Sequence, residues 1–236
     1  MKKDKPKFLN FPISLLQGFM EATKGTLGNI LGYCIIYEME VHQRPFDEAR
    51  KMFNMAEPYD IMNFVEDARV VFNSTSRNQP RTGLEVGMFW EFYLDESPFG
   101  KKTDEEKAIL LAFLAIKSIV GFKEWCKLGK QEIIFHRMAG FPDCKSELPE
   151  SIKPFCTRYK FDKIKKELMQ HWGISIYSSH TRGLYIGTIP LQELALIAER
   201  RKLQSKQKET SLKAQQEAVR NRALQMLGIE DKQKHL

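Results

Sequence analysis

The sequence has no uninterrupted apolar run of about 18 residues, the length that a membrane-crossing helix needs, so no spanning segment is expected. It has no Cys-x-x-Cys pair. Cys34, Cys126, Cys144 and Cys156 lie far apart, without histidines at zinc-module spacing, which points to reduced thiols and to no metal or other cofactor. His136, Cys144 and Cys156 would leave a metal one ligand short, and ordinary buried or half-buried roles are the expectation for them. The cluster Gly25, Gly28 and Gly32 is not followed by Gly-Lys-Ser/Thr and no strand precedes it, so it is no phosphate loop. Glu38, Glu40, His42 and Asp47 put carboxylates near an imidazole, yet no metal-ligand motif or nucleophile elbow accompanies them. A non-enzymatic protein is the expectation. The first residues, Met1 to Lys7, are basic, but Asn10, Pro12, Ser14 and Gln17 interrupt the adjoining stretch before a signal-peptide core forms, so a cytoplasmic location is expected.

What is present is apolar material and a surplus of positive charge. Forty-two per cent of the 236 residues are hydrophobic, enough for a real core in one large domain or two modest ones. Lys and Arg number 37 against 30 Asp and Glu, a formal +7 that suits a polyanionic partner, nucleic acid or an anionic membrane surface.

Apolar residues recur at helical steps from Phe11 to Glu40, with the three glycines marking either a break or a close helix–helix approach. Phe46 to Asn54 and Tyr59 to Phe72 read as two more helices, Asn73 to Gly83 as a surface loop, and Leu84 to Leu94 as an apolar, aromatic segment. Ser97-Pro98-Phe99-Gly100 then punctuates the chain, placing a boundary there and making residues 1–100 a helical, assembly-type domain. Thr103-x-x-Glu106 is a capping box opening a helix that is apolar nearly all round and ends near Gly121. A shorter helix spans about Lys130 to Ala139, and a third runs from Thr157 or Arg158 to about Trp172. Ile174 and Ile176, then Leu184 and Ile186, alternate on either side of Ser179 to Gly183, the pattern of a hairpin. From Pro190 a long helix continues to about Leu227. The fold expected is mainly α with a small β-hairpin.

Helix, helix, helix and hairpin from about Thr103 to Thr188 resemble the winged helix-turn-helix superfamily of transcription regulators and of plasmid and phage replication initiators. The resemblance implies a winged domain over 101–189, with the third helix in a major groove and the wing on a neighbouring groove or on phosphates. The interval from Gly140 to Thr157 is longer than the tight turn better known in that superfamily. On a wheel of about 100° per residue, Phe161, Ile164, Leu168 and Trp172 share one side of the third helix, while Tyr159, Lys163, Lys166 and Gln170 line the other. That second stripe, with Arg158 at the helix start and His180, Thr181 and Arg182 at the wing tip, is the expected nucleic-acid surface. Lys127, Lys130, Gln131 and Arg137 on or near the second helix read either as phosphate contacts or as ordinary surface charge.

The region 190–236 is expected to be a basic helix and tail. Between Glu199 and Arg222 stand eight Lys or Arg against three Glu, a net +5 of the chain's +7. Arg200, Arg201 and Lys202 open this stretch, which lies on nucleic acid, pairs with a partner helix, or is a solvated extension. The partners expected are therefore duplex DNA, with RNA second, and either a second copy or another protein, but no membrane. These expectations suit two functions: a DNA-binding replication initiator or transcription regulator, or an accessory subunit of a larger nucleoprotein complex.

Overall fold

The computed structural model describes residues 7–55, 61–94, 102–178 and 183–226. Its elements in order are β1 (Phe8–Pro12), a 3-10 turn (Ile13–Leu16), α1 (Thr23–His42), α2 (Phe46–Met52), α3 (Ile61–Ser74), β2 (Arg81–Glu85) and α4 (Val86–Leu94). They continue with α5 (Asp104–Val120), β3 (Trp125–Leu128), α6 (Glu132–Met138), a 3-10 turn (Lys153–Cys156), α7 (Arg158–His171), β4 (Ser175–Ser178), β5 (Leu184–Gly187) and α8 (Leu191–Met226). The described residues are mainly helical, with two small antiparallel sheets.

The first sheet corrects the expectation of a helix from Phe11. Residues 8–12 instead form β1, which pairs antiparallel with β2 in the register Phe8↔Glu85 to Pro12↔Arg81. Leu9 and Phe11 are buried while Phe8 and Asn10 are exposed, the period-2 pattern of a strand with one covered face. The expected loop from Asn73 to Gly83 is therefore shorter, because α3 runs to Ser74 and β2 begins at Arg81, and the segment from Leu84 divides into the end of β2 and α4. The glycine cluster does not break α1. At Gly32 a Cβ would stand 2.9 Å from the Ala68 Cβ of α3, so this glycine marks a close helix–helix approach.

α5 is the axis of the molecule. Thr103 caps it, accepting from the Glu106 N–H while the Glu106 carboxylate accepts from the Thr103 N–H, which satisfies both orphan donors. Ala108, Leu110, Leu111, Ala112, Leu114, Ala115 and Ile116 are all fully buried, consistent with a helix apolar nearly all round. On one side the Thr82 hydroxyl of β2 donates to the Leu114 carbonyl at 2.8 Å; on another, α6 and α7 pack against the helix. Buried side chains from Leu9 to Ile186 accordingly form one cluster that runs across residue 100. Gly140, after α6, strengthens that join. Its φ is +79°, and a Cβ there would meet the Gln17 amide nitrogen at 2.7 Å, so only glycine lets the end of α6 sit against the first 3-10 turn.

The second sheet has the order β3-β5-β4. β3 was not expected from the sequence, and it turns the hairpin of β4 and β5 into a three-stranded sheet. Cys126, Ile186 and Ile176 lie side by side facing the main core, and Lys127, Tyr185 and Tyr177 lie side by side one step along. The opposite face takes α8. Tyr185, Leu194 and Ala198 are buried together, with Trp125, Tyr177 and Ile189 half-buried around them.

Candidate nucleic-acid interface

α7 presents its two faces as the wheel predicts. Thr157 caps the helix by accepting from the Lys160 N–H. Phe161, Ile164 and Leu168 are buried, with the Phe161 ring edge-on to Phe135 at 4.9 Å between centroids, and Trp172 is half-buried against Phe113. Arg158, Tyr159, Lys163, Lys166 and Gln170 are exposed. The long interval before α7 is not a loose insertion. Ile152 and Phe155 are buried, and the Ser151 hydroxyl donates to Glu21 at 2.5 Å.

Charge on this face is graded by its neighbours. Lys160, absent from the sequence-based set, forms an ion pair with Glu105 at the start of α5, and that ammonium holds the Glu105 carboxyl below its ordinary range. Lys165 pairs with Asp162 at 2.5 Å and lowers the Asp162 pKa in the same way, while Arg158 reaches the other oxygen of Asp162 only at 4.0 Å. Among the described residues Lys163 and Lys166 have no carboxylate within ion-pair distance; Lys163 instead lies over the Tyr159 ring at 4.9 Å. A cleft of about 540 Å³ lies between α5 and this helix, lined by Lys160, Lys163, Lys166 and Gln170 together with Glu105 and Glu167. Lys163 and Lys166 are therefore the lysines of α7 without a contact ion pair among the described residues, although Glu105 feels the charge of Lys163 and Asp162 that of Lys166.

His180, Thr181 and Arg182, expected at a wing tip, lie outside the described residues. On α6 and its approach, Lys130 is exposed, whereas Arg137 is half-buried. Among the described residues its Nη1 is buried without an acceptor, and desolvation lowers its pKa, an environment unlike that of a surface phosphate ligand. Both ring nitrogens of His136 face carbonyl oxygens, of Glu132 at 2.9 Å and Ser146 at 3.0 Å. Cys144 is exposed, and burial pushes the Cys156 thiol up to about 11.

α8 leaves the sheet that carries β4 and β5. Tyr177 of β4 donates from its hydroxyl to Glu199 at 3.0 Å, and the Arg201 guanidinium lies 4.7 Å from the centre of the Trp125 ring. Arg200 and Arg201 are exposed, while Lys202 is half-buried and paired with Glu199 at 3.6 Å. Beyond Lys202 every residue up to Met226 except Leu224 is exposed, including Leu203, Leu212, Val219 and Met226.

A second concavity, about 720 Å³, lies between β1, the end of α1 and the end of α5, lined in part by Tyr37, Glu38, His42, Arg81, Lys117 and the fully exposed Phe122. The acidic cluster noted in the sequence is distributed among arginines. Glu38 pairs with Arg44 at 3.0 Å, Glu40 with Arg69 at 2.6 Å, and Asp47 with Arg50 at 2.8 Å. Among the described residues no helix is long and apolar enough to cross a membrane, and no cluster of His, Cys, Asp and Glu is arranged to hold a metal ion. No protein-family model, curated protein or solved structure matches the chain.

Proposed function

We propose that residues 104–187 form a winged helix-turn-helix that binds duplex nucleic acid, DNA ahead of RNA, in a non-enzymatic protein of replication-initiator or transcription-regulator type. The observation that carries this reading is α7: one face locked into the core, the opposite face exposing Lys163, Lys166 and Gln170 around Tyr159, and the two strands of a hairpin coming directly after it. The order helix, strand, helix, helix, strand, strand, with β3 completing the sheet on β5, supports it further. Lysines placed this way neutralise phosphates, and Gln170 is of the type that pairs with an adenine edge. Replacing Lys163, Lys166 and Gln170 together by Ala tests the reading: duplex affinity falls while the unfolding midpoint stays. Normal binding by a normally folded triple variant removes α7 as the reading head.

A second reading, an accessory subunit of a larger nucleoprotein complex, is favoured by one separate observation. Leu212, Val219 and Met226 recur every seven residues on the exposed part of α8, with Ala223 beside them, an apolar stripe that gains little in water. Light scattering on the full chain, alone and with co-purified protein, separates self-association from a foreign partner.

A further inference from the structure

The charges of α8 are sorted by face. The three carboxylates of its basic stretch, Glu199, Glu209 and Glu217, fall within an arc of about 80°. The same arc holds Lys202, Lys206, Lys213 and Arg220. Glu199 pairs with Lys202 at 3.6 Å and Glu209 with Lys213 at 3.4 Å, so much of the charge on that side is answered within the helix. Arg200, Arg201, Lys208 and Arg222 lie on the opposite side, within an arc of about 100° that holds no carboxylate beyond the first-turn Glu193. All four are exposed, and among the described residues none pairs with a carboxylate; Arg201 only covers Trp125. Gln204, Ser211 and Gln215 fill the spaces between them, and Val219 and Met226 of the apolar stripe share the outer part of the same arc.

We infer that this carboxylate-free face, carrying Arg200, Arg201, Lys208 and Arg222, is a second phosphate-binding surface that lies along the same nucleic-acid duplex as the winged unit. The inference deepens the proposed function and rests on it. Arg200 and Arg222 are separated by about 33 Å along a straight helix, close to one turn of a duplex. The face starts beside the sheet that holds β4 and β5, the strands of the proposed wing. Its chemistry selects among polyanions. A second copy meeting the inner part of this face, around Arg200, Arg201 and Lys208, would set like charges against each other, and α8 has no aromatic residue to anchor it in a lipid surface. Phosphates along a duplex meet four cations and several amide and hydroxyl donors without a repelling carboxylate. Lys202, the third basic residue of the sequence-based set on this helix, belongs to the paired side.

Two full-length variants with equal charge loss test it. One is R200Q/R201Q/K208Q/R222Q; the other, on the mixed side, is K202Q/K206Q/K213Q/R220Q. Glutamine preserves helix propensity, and far-ultraviolet circular dichroism checks that both helices stay intact. The readout is fluorescence anisotropy with a duplex of about two turns over a range of salt, plotted as log affinity against log salt. The first variant is expected to lose about 3 to 4 from the slope and at least about tenfold in affinity, and the second about 1 or less from the slope. Equal losses in both variants, or none in the first, overturn the inference while leaving the winged reading standing. Loss of binding to phosphatidylserine vesicles by the first variant, with duplex binding unchanged, also overturns it. A wild-type chain with no salt-dependent duplex binding removes the proposed function and this inference together.

Discussion

α5 and α8 are the two helices in which the sequence concentrates opposite resources. α5, 17 residues long, buries eight side chains, holds β2 on one flank and packs α6 and α7 on the others. α8, 36 residues long, buries only Leu194 and Ala198. The first is stabilised by removal of apolar surface from water and has few polar positions left to use. Among the described residues the second is held to the body by its opening turns, where two side chains bury beside Tyr185 and Glu199 meets Tyr177. Beyond those turns it depends on propensity and on local pairs such as Glu209 with Lys213, each worth about 0.3–0.5 kcal/mol. Freed from packing, α8 carries most of the chain's surplus charge. Buried apolar surface and exposed charge are thus assigned to different parts of one chain, and substitutions can separate them.

The sharpest separation is in unfolding. Phe161→Ala, which removes a fully buried ring from the α7 side of the core, is expected to cost about 3–5 kcal/mol in urea denaturation. Leu212→Ala on α8 removes a similarly apolar but exposed side chain and is expected to change stability by less than about 0.5 kcal/mol. A large loss at Leu212 would mean that the outer part of α8 folds against something, and the comparison would fail. Next in size is binding: the Lys163, Lys166 and Gln170 triple alanine variant is expected to lower the salt slope by about 2, one step for each lysine, without moving the urea midpoint. Ending the chain after Leu203 should leave the body's unfolding free energy within about 0.5 kcal/mol and reduce either duplex affinity or association, read by anisotropy and light scattering.

The smallest effect concerns pH. Burial raises the Cys156 thiol to about 11 from an ordinary value of 9.0. The folded chain therefore holds that proton more tightly than the unfolded one, so this contribution to stability is complete below the ordinary value and is lost as pH rises towards 11. Cys156→Ala should flatten the fall in urea midpoint across that window relative to wild type, measured on both chains in the same buffers. In native alkylation below about pH 9, exposed Cys144 should react before Cys156.

What is legible in the sequence is local. Thr103 and Glu106 are three positions apart, so their reciprocal cap is written in adjacent residues. The two faces of α7 come from periodicity alone, because Phe161, Ile164 and Leu168 find the core wherever that core lies. β1 is hidden because its partner, β2, lies about seventy residues away and its five residues merge into a helical apolar pattern. β3 is hidden for the same reason: Trp125 to Leu128 makes a strand only because Leu184 to Gly187 is there to pair with it. Lys160 escapes notice because its partner Glu105 comes from α5, whereas the sorting of charge around α8 needs only the wheel that sorts α7.

The central claim, that residues 104–187 bind nucleic acid through α7, is tested most directly by titrating the full chain against duplex DNA and structured RNA as salt is raised. The account predicts binding at low salt, tighter to DNA, with log affinity falling linearly and losing about tenfold or more by physiological ionic strength. No binding to either nucleic acid at low salt would contradict it.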